Sequence, residues 1–340
     1  MDTEQVLFSL CGAVGPAGAE QKAAECAAEE LKRYAQVRFD ALGNVIGEII
    51  PKDYTRHVLL DAHIDEIGLI VTHLQDGFVR VDKTGGVDLR TLPDGEVTIW
   101  GEKPVDGIFC AVPPHLSKAE DRRKVPALSD AWIDTGLCQE ELERWVRPGD
   151  RVTAKSVPRR LAGGRVSSKA LDDRACVTVI LRALSLLPQD HHTRITVLFS
   201  VQEETGQAGA QTGAFQSEAT EAVALDVSFA STPDSPKHKC GELGKGPMIG
   251  YAPVLSHSIY TRLCSLAKEA DIPYQTEIMG ADSGTNGDCI AVSKAGRPTG
   301  LLSIPQRYMH TPVEVVDLKD LENTARLLVL YLTKEETAHA

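Results

Sequence analysis

No C-x-x-C pair occurs in this sequence, no tract is of low complexity, and no apolar run approaches the roughly 20 residues that a membrane-spanning helix needs. Basic residues are scarce as well: 36 Lys and Arg stand against 48 Asp and Glu, giving a net charge of -12. That deficit repels a phosphate backbone and anionic lipid alike, so neither nucleic acid nor a membrane is an expected partner. The cysteines, at positions 11, 26, 110, 138, 176, 240, 264 and 289, are too scattered for a structural zinc knot and read as reduced, mostly buried thiols. The apolar stretch Leu7 to Val14 is preceded by Met1-Asp2-Thr3-Glu4-Gln5, which lacks the positive n-region of a signal peptide, so a cytoplasmic location is expected.

What remains is an ordinary globular composition, 42% hydrophobic and 25% charged, over 340 residues. That length implies either two domains or one domain with a substantial insertion.

Residues 18–36 carry Ala, Leu and Glu at helical spacing, and VRFDALGNVIGEII reads as two short strands around Gly43-Asn44. HVLLDAHID follows as an apolar strand with a polar end. From about Glu66 to Thr153 the texture becomes short alternating strands (GLIVTHL, GFVRVD, EVTIWG, GIFCAV) punctuated by Gly-Gly, Pro-Asp-Gly and Pro-Pro. Beyond Gly163-Gly164 a long α/β alternation returns. It predicts helix 173–187, strands RITVLFSV and AVALDV, helix 256–270, strand YQTEI, helix 287–295, strand GLLSI and helix 318–334. The simplest organisation is an α/β domain assembled from residues 1–65 and 164–340, interrupted by a β-rich domain over 66–163.

In open α/β sheets ligands sit beyond the carboxyl ends of the strands, so polar residues there are the first candidates for chemistry. His63 and Asp65 close HVLLDAHID, Glu203 and Glu204 close RITVLFSVQEE, Asp226 ends AVALDV, and His310 follows GLLSIPQRYM. Lys169-Ala170-Leu171-Asp172-Asp173-Arg174 adds two carboxylates where a helix begins. Taken singly, each has a plainer reading: Asp172 and Asp173 as helix caps, the Glu pair as a solvated strand end, either His as a lone hydrogen-bonded residue, Asp226 as the start of a turn. Together they make the inventory of a two-metal hydrolytic site. In His63-x-Asp65 the carboxylate can take the ring N–H facing away from a metal and so orient the imidazole. Asp172, held at the start of a helix, is the candidate bridging carboxylate. Two divalent ions bring four positive charges, which Asp172, Glu204, Asp226 and a hydroxide neutralise, leaving Glu203 as the general base. Adjacent Glu side chains in extended chain point oppositely, so the backbone must turn here, and Thr205-Gly206 permits it.

The stretches DAHIDEIGLIV, PPHL, KALDDRAC, VQEETGQAGA, ALDV, LGKGP and RYMHTPVEVVDLKD, in this order over nearly the whole chain, resemble the tetrahedral and glutamyl aminopeptidases, peptidase family forty-two of the co-catalytic metallopeptidases. The resemblance implies a zinc-peptidase-like mixed sheet flanked by helices, with an inserted β-barrel-like dimerisation domain. It implies two divalent ions per subunit, zinc or cobalt: one held by His63 and Asp226, the other by Glu204 and His310, with Asp172 between them. Glu203 would be the general base and Asp65 the residue orienting His63. It further implies peptide substrates cut at free N-termini, and dimers assembling into a tetrahedral dodecamer that excludes folded proteins. Two departures bear on substrate preference: Gly280-Ala281-Asp282-Ser283-Gly284-Thr285-Asn286 replaces a Gly-Thr-Asp-like pocket segment, and Cys176 stands where the family often has Gly. An acidic preference would require a cation in the pocket, and Lys169, Arg174 and Arg307 are the cations nearest in sequence to the candidate residues.

Two rival readings make specific demands. A glycoside hydrolase, endoglucanase-like, would need only a carboxylate pair such as Glu203 and Asp226, leaving His63, His310 and Asp172 without a role. A non-catalytic assembly protein would have no use for an intact ligand set. His191-His192, in PQDHHTR between a helix and a strand, reads as a solvated loop.

Overall fold

The computed structural model describes residues 1–110, 113, 115–116, 128, 131–233 and 235–334. Pro114 of the PPHL stretch and Ala111-Val112 at the end of GIFCAV lie outside the described residues.

The chain opens with helices α1 (Thr3–Gly12) and α2 (Gln21–Leu31), then strands β1 (Gln36–Phe39), β2 (Val45–Ile49) and β3 (Arg56–His63). Six strands follow with one helix among them: β4 (Gly68–Gln75), β5 (Phe78–Thr84), β6 (Glu96–Trp100), β7 (Pro104–Cys110), β8 (Trp132–Asp134), α3 (Gln139–Trp145) and β9 (Arg151–Ala154). A small sheet begins with β10 (Arg159–Arg160) and β11 (Arg165–Ser168). Alternation then resumes through α4 (Leu171–Leu186), β12 (Thr193–Ser200), α5 (Ala208–Gln216), β13 (Glu221–Phe229), β14 (Met248–Tyr251), α6 (His257–Glu269), β15 (Gln275–Ile278) and α7 (Asn286–Ala291). It closes with β16 (Thr299–Gln306), β17 (Glu314–Asp317) and α8 (Leu318–Thr333).

Among the described residues the large sheet has the strand order β1-β2-β12-β3-β13-β16-β14-β15. Its centre is parallel (β12 with β3, β3 with β13, β13 with β16), while β2 and β14 join antiparallel. The apolar runs at the centre are buried on both faces, as parallel strands covered by helices must be. Alternation along β3 sends Val58, Leu60 and Ala62 into one core with α1, α2, α4 and α8, and Leu59 into a second core with Ala210 and Ala214 of α5 and Ile290 of α7. The first face is lined with Leu, Ile and Val, whereas Ala predominates on the second.

Strands β4, β5, β8, β7, β6 and β9 close into a barrel with its own interior of Val71, Val79, Val97, Ile99, Ile133 and Val152. Closure removes exposed strand edges. All of its strands fall between Gly68 and Ala154, after β3 and before the return to α/β alternation. All eight cysteines are free. Among the described residues no helix is long and apolar enough to cross a membrane.

Differences from the expected elements are local. The apolar stretch near the N-terminus is helix α1, buried through Val6, Leu7, Leu10 and Cys11. Helix 18–36 shortens to α2: a turn over Pro16–Ala19 with the left-handed Gly18 precedes it, and a further turn over residues 32–34 follows it. Helix 287–295 ends at Ala291 as α7, and α3 and α5 were not anticipated.

Candidate metal centre

The candidate residues gather at the carboxyl end of the large sheet. His63 is the last residue of β3, on the face shared with Leu59. The parallel register pairs Ala224 of β13 with Asp61 of β3, and continuing it by two residues brings Asp226 beside His63 on that face.

Asp172 lies in the first turn of α4, before the regular helix. Ala170 is left-handed (φ 57°), and Asp172 (φ -77°, ψ 104°) and Asp173 are non-helical, so the turn projects both carboxylates under the sheet end instead of capping the helix. His63 Nε2 is 3.0 Å from Asp172 Oδ1, and His310 Nε2 is 3.3 Å from Asp172 Oδ2. One carboxylate thus meets two imidazoles through different oxygens. His310 Nε2 is also 3.3 Å from Glu204 Oε1. Donor atoms of His63, Asp172 and Glu204 lie within 4.8 Å of one another, as do those of His63, Asp173 and Asp226.

Asp65 is fully buried, with Oδ1 3.4 Å from His63 Nδ1. Its oxygens also accept the backbone N–H groups of Glu203 (3.0 Å) and Glu204 (3.1 Å). The expected turn is there: it spans Glu203–Gly206, closed by the Gly206 N–H donating to the Glu203 carbonyl at 3.0 Å, with Gly206 at φ 121° and the left-handed Gln202 (φ 59°) and Gln207 (φ 62°) on either side, and Asp65 holds the Glu pair through their amides.

Three contributors were not read from the sequence. Asp173, considered only as a cap, accepts the His63 backbone N–H through Oδ2 at 3.2 Å. Glu314 of β17 accepts the backbone N–H of His310 (3.0 Å) and of Asp172 (3.2 Å), tying two candidate ligands to one carboxylate. Its place in the acidic, alternating VEVVD just after His310 was the available signal. Gly86, between β5 and β6, accepts through its carbonyl from His310 Nδ1 at 3.1 Å, so the barrel's edge reaches the site. A Cβ on Gly86 would come within 2.5 Å of His310 Nδ1.

The nearby cations of the sequence are engaged elsewhere. Lys169 and Arg174 both pair with buried Glu66, at 2.7 and 3.2 Å, and Arg307 donates to the Ser231 carbonyl at 2.7 Å. Cys176 donates its thiol to the Asp226 carbonyl at 3.0 Å. In the divergent pocket segment, Gly280, Ser283, Gly284 and Thr285 line the cavity, whereas Asn286 turns inward to donate to Asp61 at 2.8 Å. Of the expected solvated His191-His192 loop, His192 is exposed, with Nδ1 3.2 Å from the Asp53 carbonyl, whereas His191 is half-buried with its Nδ1 enclosed.

Protonation follows from burial and crowding. Burial, with neighbouring carboxylates adding to it, pushes Asp173, Asp226 and Glu314 well above the usual carboxylate range and Glu203 up to about 7. Burial disfavours charge on the imidazoles, yet Asp172 and Asp65 lift His63 well above its ordinary value, and Asp172 and Glu204 lift His310 to about 11. Among the described residues, the only side-chain cations within ion-pair distance of Asp65, Asp172 and Glu204 are these two imidazoles, and no such cation pairs with Asp173, Asp226 or Glu203. So large an excess of buried carboxylate is costly unless cations enter, and the donor set of imidazole and carboxylate suits divalent first-row metals. The residues fit a metal centre. It faces a cavity of about 740 Å³, roomy enough for the end of a peptide.

Known proteins resemble this chain over most of its length. The sequence pattern of the M42 glutamyl aminopeptidases matches residues 43–327. A lysyl aminopeptidase of Pyrococcus furiosus is 34% identical over 297 residues, covering 86% of this chain and 85% of its own. Aminopeptidase APDkam598 of Desulfurococcus kamchatkensis superposes with a TM-score of 0.92 at 33% identity, over 98% of this chain and 95% of its own. The TET1 peptidase of Pyrococcus horikoshii superposes with a TM-score of 0.86 at 31% identity, over 98% of this chain and all of its own. A family pattern that covers most of the chain, including both stretches of the large sheet and the barrel between them, means that the chain belongs to the M42 glutamyl aminopeptidases, which are metal-dependent peptide hydrolases.

Proposed function

We propose that this chain removes N-terminal residues from peptides at a centre of two divalent cations, zinc or cobalt. His63 and Asp226 would hold one cation, Glu204 and His310 the other, and Asp172 would bridge them. The observation that carries this reading is the Asp172 carboxylate, faced by His63 through one oxygen and by His310 through the other. Cations bound there would lower the pKa of a water and polarise the scissile carbonyl.

The chain's own residues supply the proton handling. Glu203 accepts the proton of the attacking water on a carboxylate oxygen and delivers it to the departing amine, so the carboxylate ends as it began. Asp65 keeps Glu203 in place through its backbone N–H and orients His63 through Nδ1. Glu314 fixes the backbone of Asp172 and His310 together.

We further infer that residues 1–65 and 164–340 form the catalytic domain and residues 66–163 an inserted dimerisation domain, a division supported by the barrel's separate core. The TET1 peptidase of Pyrococcus horikoshii can assemble into a tetrahedron or an octahedral shell. By that likeness this chain pairs through its barrel and builds a closed dodecamer in the cytoplasm that admits peptides. The names of its relatives differ on the side chain removed, lysyl in one and glutamyl in another, so the family leaves this open.

Chelation followed by an aminoacyl p-nitroanilide assay tests the reading. Activity should vanish and return with added zinc or cobalt, and Asp172→Ala should bind neither ion. Two ions still bound to that variant would overturn the bridging role. A glycosidase acting through Glu203 and Asp226 would survive chelation.

A further inference from the structure

The cavity holds a second acidic feature that the reaction does not use. Glu277 of β15 lines it, away from the proposed cation ligands. Its Oε1 accepts from Ser228 Oγ, and its Oε2 from Ser303 Oγ at 2.9 Å. An ionised carboxylate offers about four lone-pair positions, so two serine donors leave acceptor capacity facing the cavity. Among the described residues no Lys or Arg side chain pairs with Glu277, and burial pushes its carboxyl above the ordinary value.

The spacing is informative. Ser303 sits directly beside Asp226 in the parallel register of β13 and β16. Ser228 lies two residues beyond Asp226 on β13, about 6.6 Å along an extended strand. Hydrogen-bonded to Ser303 beside Asp226 and to Ser228 about 6.6 Å beyond it, the Glu277 carboxylate lies off the hydrolytic centre on the scale of one long side chain. Met248, paired with Ser303 across β14 and β16, adds apolar surface to that part of the cavity, suited to an aliphatic stem. A long apolar stem ending in a cation matches both features.

We propose that Glu277 is the specificity-determining residue of this pocket, and that the enzyme prefers peptides whose N-terminal residue is basic, Lys or Arg. This rests on the aminopeptidase reading given above. Lys239 also lines the cavity and would favour the opposite, an acidic residue. It is exposed to solvent, however, where its charge is screened, whereas Glu277 is largely enclosed and its interaction with a bound cation is not.

The test is a panel of Lys-, Arg-, Ala-, Leu- and Glu-p-nitroanilides with the metal-loaded wild type. The Lys and Arg substrates should exceed Leu and Glu in kcat/KM by about tenfold or more, the scale of one enclosed ion pair. Glu277→Gln should lower the ratio of Lys to Ala kcat/KM by about 10- to 100-fold, chiefly through KM, and Glu277→Lys should invert the preference toward Glu. Wild-type inhibition provides a measure that does not depend on a variant folding: L-lysine should inhibit more strongly than L-norleucine, which has a like stem and no ammonium. Hydrolysis of the Ala substrate with Leu or Glu preferred, an unmoved ratio in Glu277→Gln, or equal inhibition by the two amino acids would each overturn the role of Glu277 while leaving the aminopeptidase reading intact. Failure to cleave any substrate in the panel would instead remove the aminopeptidase reading, and this inference with it.

Discussion

Asp65 accepts the backbone N–H of Glu203 at 3.0 Å, and its second oxygen accepts the neighbouring N–H of Glu204 at 3.1 Å. One buried carboxylate thereby sets where the candidate base and a candidate ligand start from, in addition to facing His63. Asp65→Ala should cost about 10- to 100-fold in activity or metal affinity, the range typical of residues that orient ligands. Asp65→Asn, which keeps one acceptor oxygen, should lose less. Steady-state kinetics at saturating metal, with a metal titration alongside, checks this; an unchanged kcat and affinity in the alanine variant would show that the turn holds itself.

A residue with no side chain makes the next prediction. Gly86 has an ordinary backbone conformation that alanine can adopt, yet a Cβ there would meet His310 Nδ1 at 2.5 Å and its carbonyl is the partner of that nitrogen. Gly86→Ala should displace His310 from Asp172 and Glu204 while leaving His63, Asp172 and Asp226 undisturbed. If the wild type binds two ions as proposed, metal analysis of the variant should find close to one per subunit, with activity falling at least tenfold and the melting temperature little changed. Two ions and full turnover would mean that the loop shifts to accommodate the methyl.

The sequence discloses His63, Glu204, Asp226 and His310 because each is a chemically distinctive side chain at or just past the end of an apolar strand, where an α/β sheet presents its ligands, while Asp172 is read from its place at the start of a helix. The α/β alternation was equally legible: helix 318–334 and strand RITVLFSV correspond to α8 and β12 within a residue. Other features were hidden for physical reasons. Gly86 acts through a backbone carbonyl, which any residue possesses, and its importance lies in a close approach between segments 224 positions apart. Glu314 occupies a strand in which alternation predicts only which face a side chain takes, not which amides it will meet. Asp173 looks like a helix cap because the left-handed Ala170, which turns the segment away from regular helix, is an ordinary residue with no conformational signature. Glu277 sits in YQTEI, where an acidic residue at a strand edge looks solvated; only the fold brings Ser228 and Ser303 against it.

Glu66, adjacent to Asp65, bears on stability. Lys169 Nζ donates to both of its oxygens at 2.9 and 2.7 Å, Arg174 Nη2 lies 3.2 Å away, and all three residues are buried. Arg174 also donates to the carbonyls of Leu10 and Ile64, so the cluster fastens α1 and the end of β3 to α4. Glu66→Gln leaves two buried cations without their counter-charge and should cost about 3–5 kcal/mol, the usual effect of breaking a buried ion pair from one side. Denaturant unfolding measures it. Burial raises the Glu66 carboxyl, but Lys169 and Arg174 outweigh that and hold it below its ordinary 4.5. A folded-state value below the unfolded one means the contribution is complete above pH 4.5 and is lost as pH falls through the lowered value. Wild-type stability should therefore decline below that pH more steeply than that of Glu66→Gln, and parallel declines would place the acid sensitivity elsewhere.

Glu203 provides the sharpest separation between binding and chemistry. Like Asp226 it has no ion-pair partner among the described residues, and it stands next to Glu204, which meets His310. If Glu203 moves protons and Glu204 holds a cation, the two neighbours must respond differently to the same loss of charge. Glu203→Gln preserves shape and the Asp65 hydrogen bond to its backbone, so it should retain both metal ions while kcat falls by about 10²–10⁴-fold, as for loss of a general base. Glu204→Gln should lose one ion and recover part of its activity at high metal concentration, because its defect is one of affinity. Metal titration and kcat measured on both variants decide the assignment. Rescue of Glu203→Gln by excess zinc or cobalt would reverse the roles of the pair, since no concentration of metal can replace a missing proton acceptor.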